Sequence, residues 1–210
     1  QVLPKRCGHI AGKELVSREK MMGKVRAACR ARADVYPNGV IIARTDAFNS
    51  KKPESMQEAV DRAVAYADAG ANLVWAEFNS CDSALPETFA DGVHRQYPNL
   101  PLAFNYSPSL PWASISTLAR LRFQDLAGMG YKFIFVTIAD FHAHAMATYD
   151  YARAFHAIGA GALWAMQLKK SGHPTENHQA LMRVDEWQKF EREFIPDASA
   201  RQDEGEGFKK

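Results

Sequence analysis

Short apolar runs alternate along the chain with segments of helical periodicity. Hydrophobic residues recur every three or four positions over 17–33, 53–69 and 114–127, which predicts helices there. Runs rich in β-branched and aromatic residues predict strands at Val40–Ala43, Asn72–Trp75, Leu102–Phe104 and Phe133–Val136. Because strands that alternate with helices form βα units, the pattern predicts an α/β fold with a parallel sheet.

Polar side chains follow each predicted strand. Arg44 comes after the first run, Glu77 after the second, Asn105 after the third and Thr137 after the fourth. A (β/α)₈ barrel builds its active site at this end of the strands. An open doubly wound sheet would usually carry a glycine-rich phosphate turn, and the sequence has none. The sequence therefore favours the later strands of a (β/α)₈ barrel.

The pattern changes after residue 140. An alanine-rich helical region is predicted to Lys170, a break at Gly172–Pro174, and a second helix over 176–194. Residues 141–166 are apolar on more than one face, which indicates cover by a neighbouring subunit. We therefore expect three parts: the C-terminal part of the barrel with its loops (1–140), a helical oligomerisation segment (141–196) and a mobile tail (197–210).

Composition excludes several classes of protein. The 210 residues are 47% hydrophobic and carry a formal charge of +2 without a long basic run, so we expect no nucleic-acid partner. No apolar stretch reaches membrane-spanning length, and no membrane partner is expected. Three cysteines without a C-x-x-C pair argue against a disulfide framework or zinc ribbon and favour a reducing, cytoplasmic location. The chain begins without methionine, close to its most reactive motif, and we expect an upstream portion.

That motif is Lys5-Arg6-Cys7-Gly8-His9. Neighbouring cations lower a thiol pKa from its ordinary value of about 8.5, and a thiol so activated serves as a nucleophile or general acid. Glycine at the centre permits close backbone approach. The alternative is that Cys7 is a small buried residue among unrelated charges.

The residues after the strands indicate an anionic ligand. Arg44 offers two parallel hydrogen bonds to a carboxylate, and neutral donors for a second carboxylate stand at Asn105, Ser107, Ser109 and Thr137. The set predicts a pocket for a small di- or tricarboxylate. Structural alternatives remain, namely an ion pair between Arg44 and Asp46 and ordinary turn chemistry at Ser107-Pro108.

Five motifs carry a family resemblance. They are K-R-C-G-H at 5–9, A-R-T-D-A at 43–47, W-A-E at 75–77, F-N-Y-S-P-S at 104–109 and M-G-Y-K-F-I-F-V-T at 129–137. In order and spacing they resemble the isocitrate lyases of the isocitrate lyase/phosphoenolpyruvate mutase superfamily. The resemblance implies a Mg²⁺-dependent cleavage of isocitrate, a 2-hydroxytricarboxylate, into glyoxylate and succinate, with Cys7 as general acid. It also implies helices exchanged between subunits and a homotetramer.

The resemblance assigns further roles residue by residue. Gly8 and His9 would contact substrate, Arg44 would hold the glyoxylate end, and Glu77 would lie near the metal, beside its ligands or bound through water. The succinate carboxylates would be held by the strand-end loop and its neighbour: Asn105, Tyr106, Ser107, Pro108, Ser109 and Thr137.

The sequence also departs from the family pattern, at Ala11, Glu14 and Tyr106. The family's direct magnesium aspartate and its Ser-Gly-Trp loop, which precede C-G-H, are not in this sequence. Two alternatives stay open: a 2-methylisocitrate lyase, with Phe104 and Ile138 deciding the preference, and a non-catalytic chain that only forms oligomer contacts.

Overall fold

A four-stranded parallel sheet lies at the centre of the first of two compact units. A computed structural model of the chain describes residues 1–49, 56–116 and 120–195, and the chain divides into Gln1–His142 and Ala143–Lys210. The sheet of the first unit consists of β1 (Ile42–Thr45), β2 (Leu73–Ala76), β3 (Leu102–Asn105) and β4 (Tyr131–Phe135), in that order. All four predicted strands are confirmed, with ends shifted by two residues at most.

The strand order identifies the architecture. Every neighbouring pair is parallel and consecutive in the chain, and a helix connects each strand to the next. A doubly wound sheet reverses its strand order at a switch point, whereas a barrel keeps chain order. The sheet is therefore consistent with part of a (β/α)₈ barrel, as the sequence predicted.

The helices of the first unit are α1 (Arg18–Val35), α2 (Met56–Asp68), α3 (Ala84–His94) and α4 (Phe123–Gly128). Ser17 caps α1, because its hydroxyl accepts the backbone N–H of Lys20. Helix α2 buries Val60 and Ala63 against the sheet, and Gly70 follows it in the left-handed region at φ +102°. The core lies between these helices and one face of the strands.

Strand alternation sends neighbouring residues to opposite faces of the sheet. Val74 and Phe104 belong to the core beneath the helices. The register places Arg44, Trp75, Ala103 and Phe133 side by side, on the opposite face. The role in substrate preference that we expected for Phe104 is therefore wrong, because its ring packs against Phe78 and Tyr131 in the core.

The helix predicted over 114–127 is confirmed only in its last part, as α4, and residues 117–119 of that range lie outside the described residues. A short 3₁₀ turn covers Trp112–Ser114, and α4 begins only at Phe123. The Asp125 carboxylate accepts the backbone N–H of Arg122 at 2.9 Å and so starts the helix there. Arg120 donates to the backbone carbonyls of Ala113 and Ile115.

Helices beyond residue 138 are α5 (Ala139–Ile158), α6 (Ala160–Lys170), α7 (His178–Leu181) and α8 (Val184–Phe194). The predicted helical region to Lys170 is divided by Gly159, which has φ +53°. The helix predicted over 176–194 is divided in the same way by Arg183 at φ +55°. The expected tail, 197–210, lies outside the described residues. Within the described ranges, no helix has both the length and the apolar character needed to cross a membrane.

Candidate active site

A tight turn carries the cysteine and histidine of the K-R-C-G-H motif. The backbone N–H of Ile10 donates to the Cys7 carbonyl at 3.1 Å, which closes the turn over 7–10. The Lys13 ammonium donates to the carbonyl of Gly8 at 2.7 Å and to that of Ile10 at 2.6 Å. The Cys7 side chain is exposed, whereas Lys13 is only 2% exposed.

Gly8 brings this turn against the strand ends. A Cβ atom at position 8 would lie 2.4 Å from Arg44 Nη2 and 2.9 Å from Glu77 Oε1. Both distances are shorter than any real Cβ contact, so only glycine allows the backbone to approach this closely. The turn that carries Cys7 and His9 therefore rests directly on one side chain near the end of β1 and one that follows β2.

Arg44 is held between two carboxylates and an aromatic ring. Its guanidinium donates to Asp46 at 2.7 Å and lies 3.5 Å from a Glu77 oxygen. The guanidinium carbon stacks 4.3 Å from the centre of the Trp75 ring. Burial opposes ionisation of Asp46, but the hydrogen bond and charge of Arg44 outweigh burial and hold the pKa of that carboxyl below its ordinary value.

Glu77 connects the turn to the third and fourth strands. Its carboxylate lies 3.4 Å from His9 Nε2 and accepts the side-chain amide N–H of Asn105 at 3.1 Å. The Thr137 hydroxyl donates to the Asn105 carbonyl oxygen at 3.0 Å, so the network reaches the end of β4. Burial raises the pKa of the Glu77 carboxyl above its ordinary value, although Arg44, Asn105 and His9 all favour the charged form.

The loop after β3 is shaped by its own hydrogen bonds. The buried Ser107 hydroxyl accepts the backbone N–H of Ser109 at 3.2 Å, and the Ser107 carbonyl accepts the Trp112 indole N–H at 2.8 Å. The Ser109 side chain is exposed, and Pro108 is half-buried between the two serines. Ser107 therefore organises the loop, while Ser109 presents its hydroxyl to solvent.

Tyr106 points away from the other predicted site residues. Its hydroxyl donates to the Leu121 carbonyl at 3.0 Å, and its ring stacks on Trp112 with centroids 4.2 Å apart. Strand alternation explains this direction, because Asn105 faces the site and its neighbour must face the helices. A substrate contact by the Tyr106 side chain, which we expected from its motif, is not what this geometry offers.

The predicted residues outside the 106–109 loop form one cluster around Arg44 and Glu77. The structure joins Gly8, His9, Asn105 and Thr137 to these two side chains, with Cys7 on the same turn. Sequence reasoning missed Lys13, because a single lysine in a loop gives no pattern. It treated Asp46 only as an ion-pair partner, which the structure bears out. We name this set the strand-end cluster: Gly8, His9, Arg44, Asp46, Glu77, Asn105 and Thr137.

Metal binding was tested against the same residues. Within the described ranges, no group of three His, Cys, Asp or Glu side chains is placed to hold a metal ion. Magnesium takes near-octahedral oxygen ligands, and both carboxylates of the strand-end cluster face the Arg44 guanidinium. The described residues therefore do not fit a complete magnesium site.

Comparison with known proteins places this chain among the isocitrate lyases and their relatives. The isocitrate lyase family profile matches residues 48–188. The chain is 39% identical over 208 residues to isocitrate lyase of Haloferax volcanii, covering 99% of this chain and 59% of that protein. It is 47% identical over 77 residues to 2,3-dimethylmalate lyase of Eubacterium barkeri, covering 37% of this chain and 25% of that protein.

A solved structure extends the similarity to the fold. The crystal structure of 2,3-dimethylmalate lyase, a PEP mutase/isocitrate lyase superfamily member, matches with a TM-score of 0.68 at 27% identity. The match covers 92% of this chain and 57% of that chain. The chain thus spans less than two thirds of the length of each of these relatives.

Proposed function

Because the chain belongs to the isocitrate lyase family, we propose that it carries the thiol acid and the carboxylate-binding strand ends of a carbon–carbon lyase. The proposed reaction cleaves isocitrate into glyoxylate and succinate. The observation that supports it best is the contact of Gly8 with Arg44 and Glu77, because it sets the Cys7 turn directly on Arg44, the cation proposed to bind the substrate, and on the carboxylate beside it. A thiol acid and a carboxylate-binding guanidinium then serve one small substrate.

Binding follows from the charges of the cluster. The Arg44 side chain is 22% exposed and oriented by Asp46, which accepts from its Nε and Nη2, and by the Trp75 ring. The guanidinium N–H groups that Asp46 does not take are proposed to hold the glyoxylate end of the substrate. Asn105, Thr137 and the exposed Ser109 hydroxyl are the neutral donors proposed for the succinate carboxylates. Holding both ends orients the carbon–carbon bond that must break, which is a large part of catalysis.

Proton transfer follows from the chemistry of the cleavage. Loss of the substrate's hydroxyl proton to a base lets a carbonyl form as the adjacent carbon–carbon bond breaks. The electron pair of that bond moves to the succinate fragment, and the Cys7 thiol donates its proton to that carbon. The exposed Cys7 beside His9 suits this role as a general acid. One proton leaves the substrate and one is delivered, so the reaction balances.

Magnesium carries no step in this account, because the described residues do not fit its site. Water-mediated contact of Glu77 with the ion, which the family resemblance implies, stays a prediction. The buried position of Glu77 between Arg44, His9 and Asn105 supports a different contribution. Glu77 links the turn to three strands and so keeps the binding groups in register.

Assembly into a homotetramer is also part of the proposal. Large apolar side chains on α5 and α6 are exposed, among them Phe141, Met146, Tyr149, Phe155 and Trp164. Many large apolar side chains exposed on successive helices are typical of an interface. Sedimentation at micromolar concentration is expected to give a tetramer, and a fully active monomer would contradict this part of the proposal.

Product analysis tests the proposed reaction. The purified protein is incubated separately with isocitrate, 2-methylisocitrate and 2,3-dimethylmalate, and the 2-oxoacid is trapped as its hydrazone. Isocitrate yields glyoxylate, whereas either methylated substrate yields pyruvate by the same bond cleavage. One methyl group changes binding by only about 1–3 kcal/mol, so relative rates identify the preferred substrate. Pyruvate as the dominant product would favour a methylated substrate, and no product from any of them would favour the non-catalytic alternative.

A further inference from the structure

Lys13 is buried where lysine is rarely found. Fully buried lysines are uncommon because the ammonium loses its hydration, and a buried charge is tolerated only with strong hydrogen bonds. Lys13 is 2% exposed, and burial lowers the pKa of its ammonium against the opposing attraction of Asp46. Because burying the ammonium is unfavourable, the surrounding structure must contain interactions that stabilise Lys13 there.

The hydrogen bonds of Lys13 supply that stabilisation. Its ammonium bridges the carbonyls of Gly8 and Ile10 at 2.7 and 2.6 Å. The Cys7 carbonyl is already occupied by the Ile10 N–H within the same turn. Three carbonyls of the turn are therefore fixed, two of them by Lys13. Hydrogen bonds from a charged donor are about twice as strong as neutral ones.

The turn has little freedom to shift against the strand-end cluster. Gly8 already lies in van der Waals contact with Arg44 and Glu77, so lifting the turn would change the distance from Cys7 to anything bound there. Lys13 also lies close enough to Cys7 and Glu77 for their negative forms to favour its own charged form. These charges thus support the ammonium that holds the turn.

We propose that Lys13 is a positioning residue for the reaction: its buried ammonium clamps the 7–10 turn and keeps the Cys7 thiol over the strand-end cluster. This inference rests on the proposed function for its kinetic test, and one of its readouts is independent of that function. The Lys13 ammonium acts on the backbone carbonyls of Gly8 and Ile10, and so on the thiol only through the turn.

The kinetic test compares Lys13→Met with Lys20→Met, an exposed lysine on α1 that serves as the matched control. Misplacing a catalytic group by about 1 Å lowers the reaction rate on the order of 100-fold. We expect kcat for isocitrate cleavage by folded Lys13→Met to fall by about that factor, with a much smaller change in KM. Lys20→Met should retain wild-type kcat. A purely structural lysine would lower the melting temperature without this loss of kcat per folded molecule.

The independent readout is the alkylation rate of Cys7 by iodoacetamide at fixed pH. Cys29 and Cys81 are first replaced by alanine so that only Cys7 reacts. Losing the ammonium releases the carbonyls of Gly8 and Ile10 and with them the turn that holds Cys7. The alkylation rate should therefore differ several-fold from wild type in Lys13→Met and stay unchanged in Lys20→Met. This measurement needs no turnover and therefore holds even if the protein cleaves none of the three substrates.

A second variant tests the proposal if Lys13→Met does not fold. Lys13→Arg keeps the charge, but its longer planar fork cannot replace a compact ammonium between the two carbonyls. The same fall in kcat is expected for it. Wild-type kcat and wild-type alkylation in a folded Lys13→Met, or wild-type kcat in Lys13→Arg, would overturn the proposal.

Discussion

Gly8→Ala adds one methyl group at the most crowded point of the site. The new Cβ would lie 2.4 Å from Arg44 Nη2, 2.9 Å from Glu77 Oε1 and 3.0 Å from Glu77 Cγ. Glu77 is 1% exposed and has no open space to enter. Arg44 can move, but only by leaving Asp46 at 2.7 Å and the Trp75 ring at 4.3 Å. Either Arg44 is displaced or the turn lifts.

The cost in stability differs from the cost in activity. Overpacking a tight contact costs about 1–3 kcal/mol of unfolding free energy, which in a chain of this size lowers the melting temperature by roughly 2–12 °C. Activity should suffer more, because the displacement separates Cys7 from the carboxylate-binding groups. We expect kcat/KM for isocitrate to fall on the order of 100-fold or more.

Gly23→Ala is the matched control. Gly23 lies within α1, and a Cβ there meets nothing within 4 Å. Alanine at that position should stabilise the protein by roughly 0.5–1 kcal/mol through helix propensity, without changing kcat/KM. Melting temperatures and steady-state rates are measured on all three proteins. Wild-type kcat/KM in Gly8→Ala would refute the argument that this contact positions the turn.

Three further predictions follow from the cluster. Arg44→Met should weaken competitive inhibition by glyoxylate more than inhibition by succinate, and Ser109→Ala should weaken inhibition by succinate more. Equal effects of both variants on both inhibitors would contradict the proposal that the two residues bind opposite ends of the substrate. Asn105→Ala should destabilise the protein by about 1–3 kcal/mol, because Glu77 loses a donor and Thr137 an acceptor; an unchanged free energy of unfolding in urea would exclude that network. Folding raises the pKa of the Glu77 carboxyl, so the stability that this carboxyl contributes is complete below its unfolded-state pKa of about 4.3 and is lost as pH rises through its folded-state pKa. The melting temperature of wild type relative to Glu77→Gln should therefore fall between pH 4.5 and pH 7.5. An exposed control, Glu87→Gln, should show no such trend.

The placement of the site could be predicted from sequence because it follows from strand alternation. Apolar runs of β-rich residues mark the strands, and the polar residue after each run lies at one edge of a parallel sheet. Arg44, Glu77, Asn105 and Thr137 were found in this way, and hydrogen bonds or close contacts now join them. Strand alternation could also have predicted that the Tyr106 side chain points away from the site, since its neighbour Asn105 faces the site.

Other features depend on tertiary contacts that a sequence pattern does not show. A lone lysine in a loop is ordinarily exposed, so the burial of Lys13 under the turn could not be read from residues 7–13. Helix α4, the described part of the helix expected over 114–127, begins only at Phe123 because the Arg122–Asp125 cap starts it there. Arg183 separates α7 from α8 in the left-handed conformation, and no glycine or proline at that position predicts the break from sequence.

The central claim is that the Cys7 thiol delivers the proton to the succinate fragment. Single-turnover cleavage of isocitrate tests it most directly, with wild type, Cys7→Ser and the control Cys81→Ser each in excess over substrate. The exposed Cys7 side chain makes a folding defect in Cys7→Ser unexpected, and a serine hydroxyl is a far weaker acid than a thiol. We expect a cleavage rate about 10²–10⁴-fold lower in Cys7→Ser, with succinate binding and the Cys81→Ser rate unchanged. Cleavage by Cys7→Ser at the wild-type rate would contradict it.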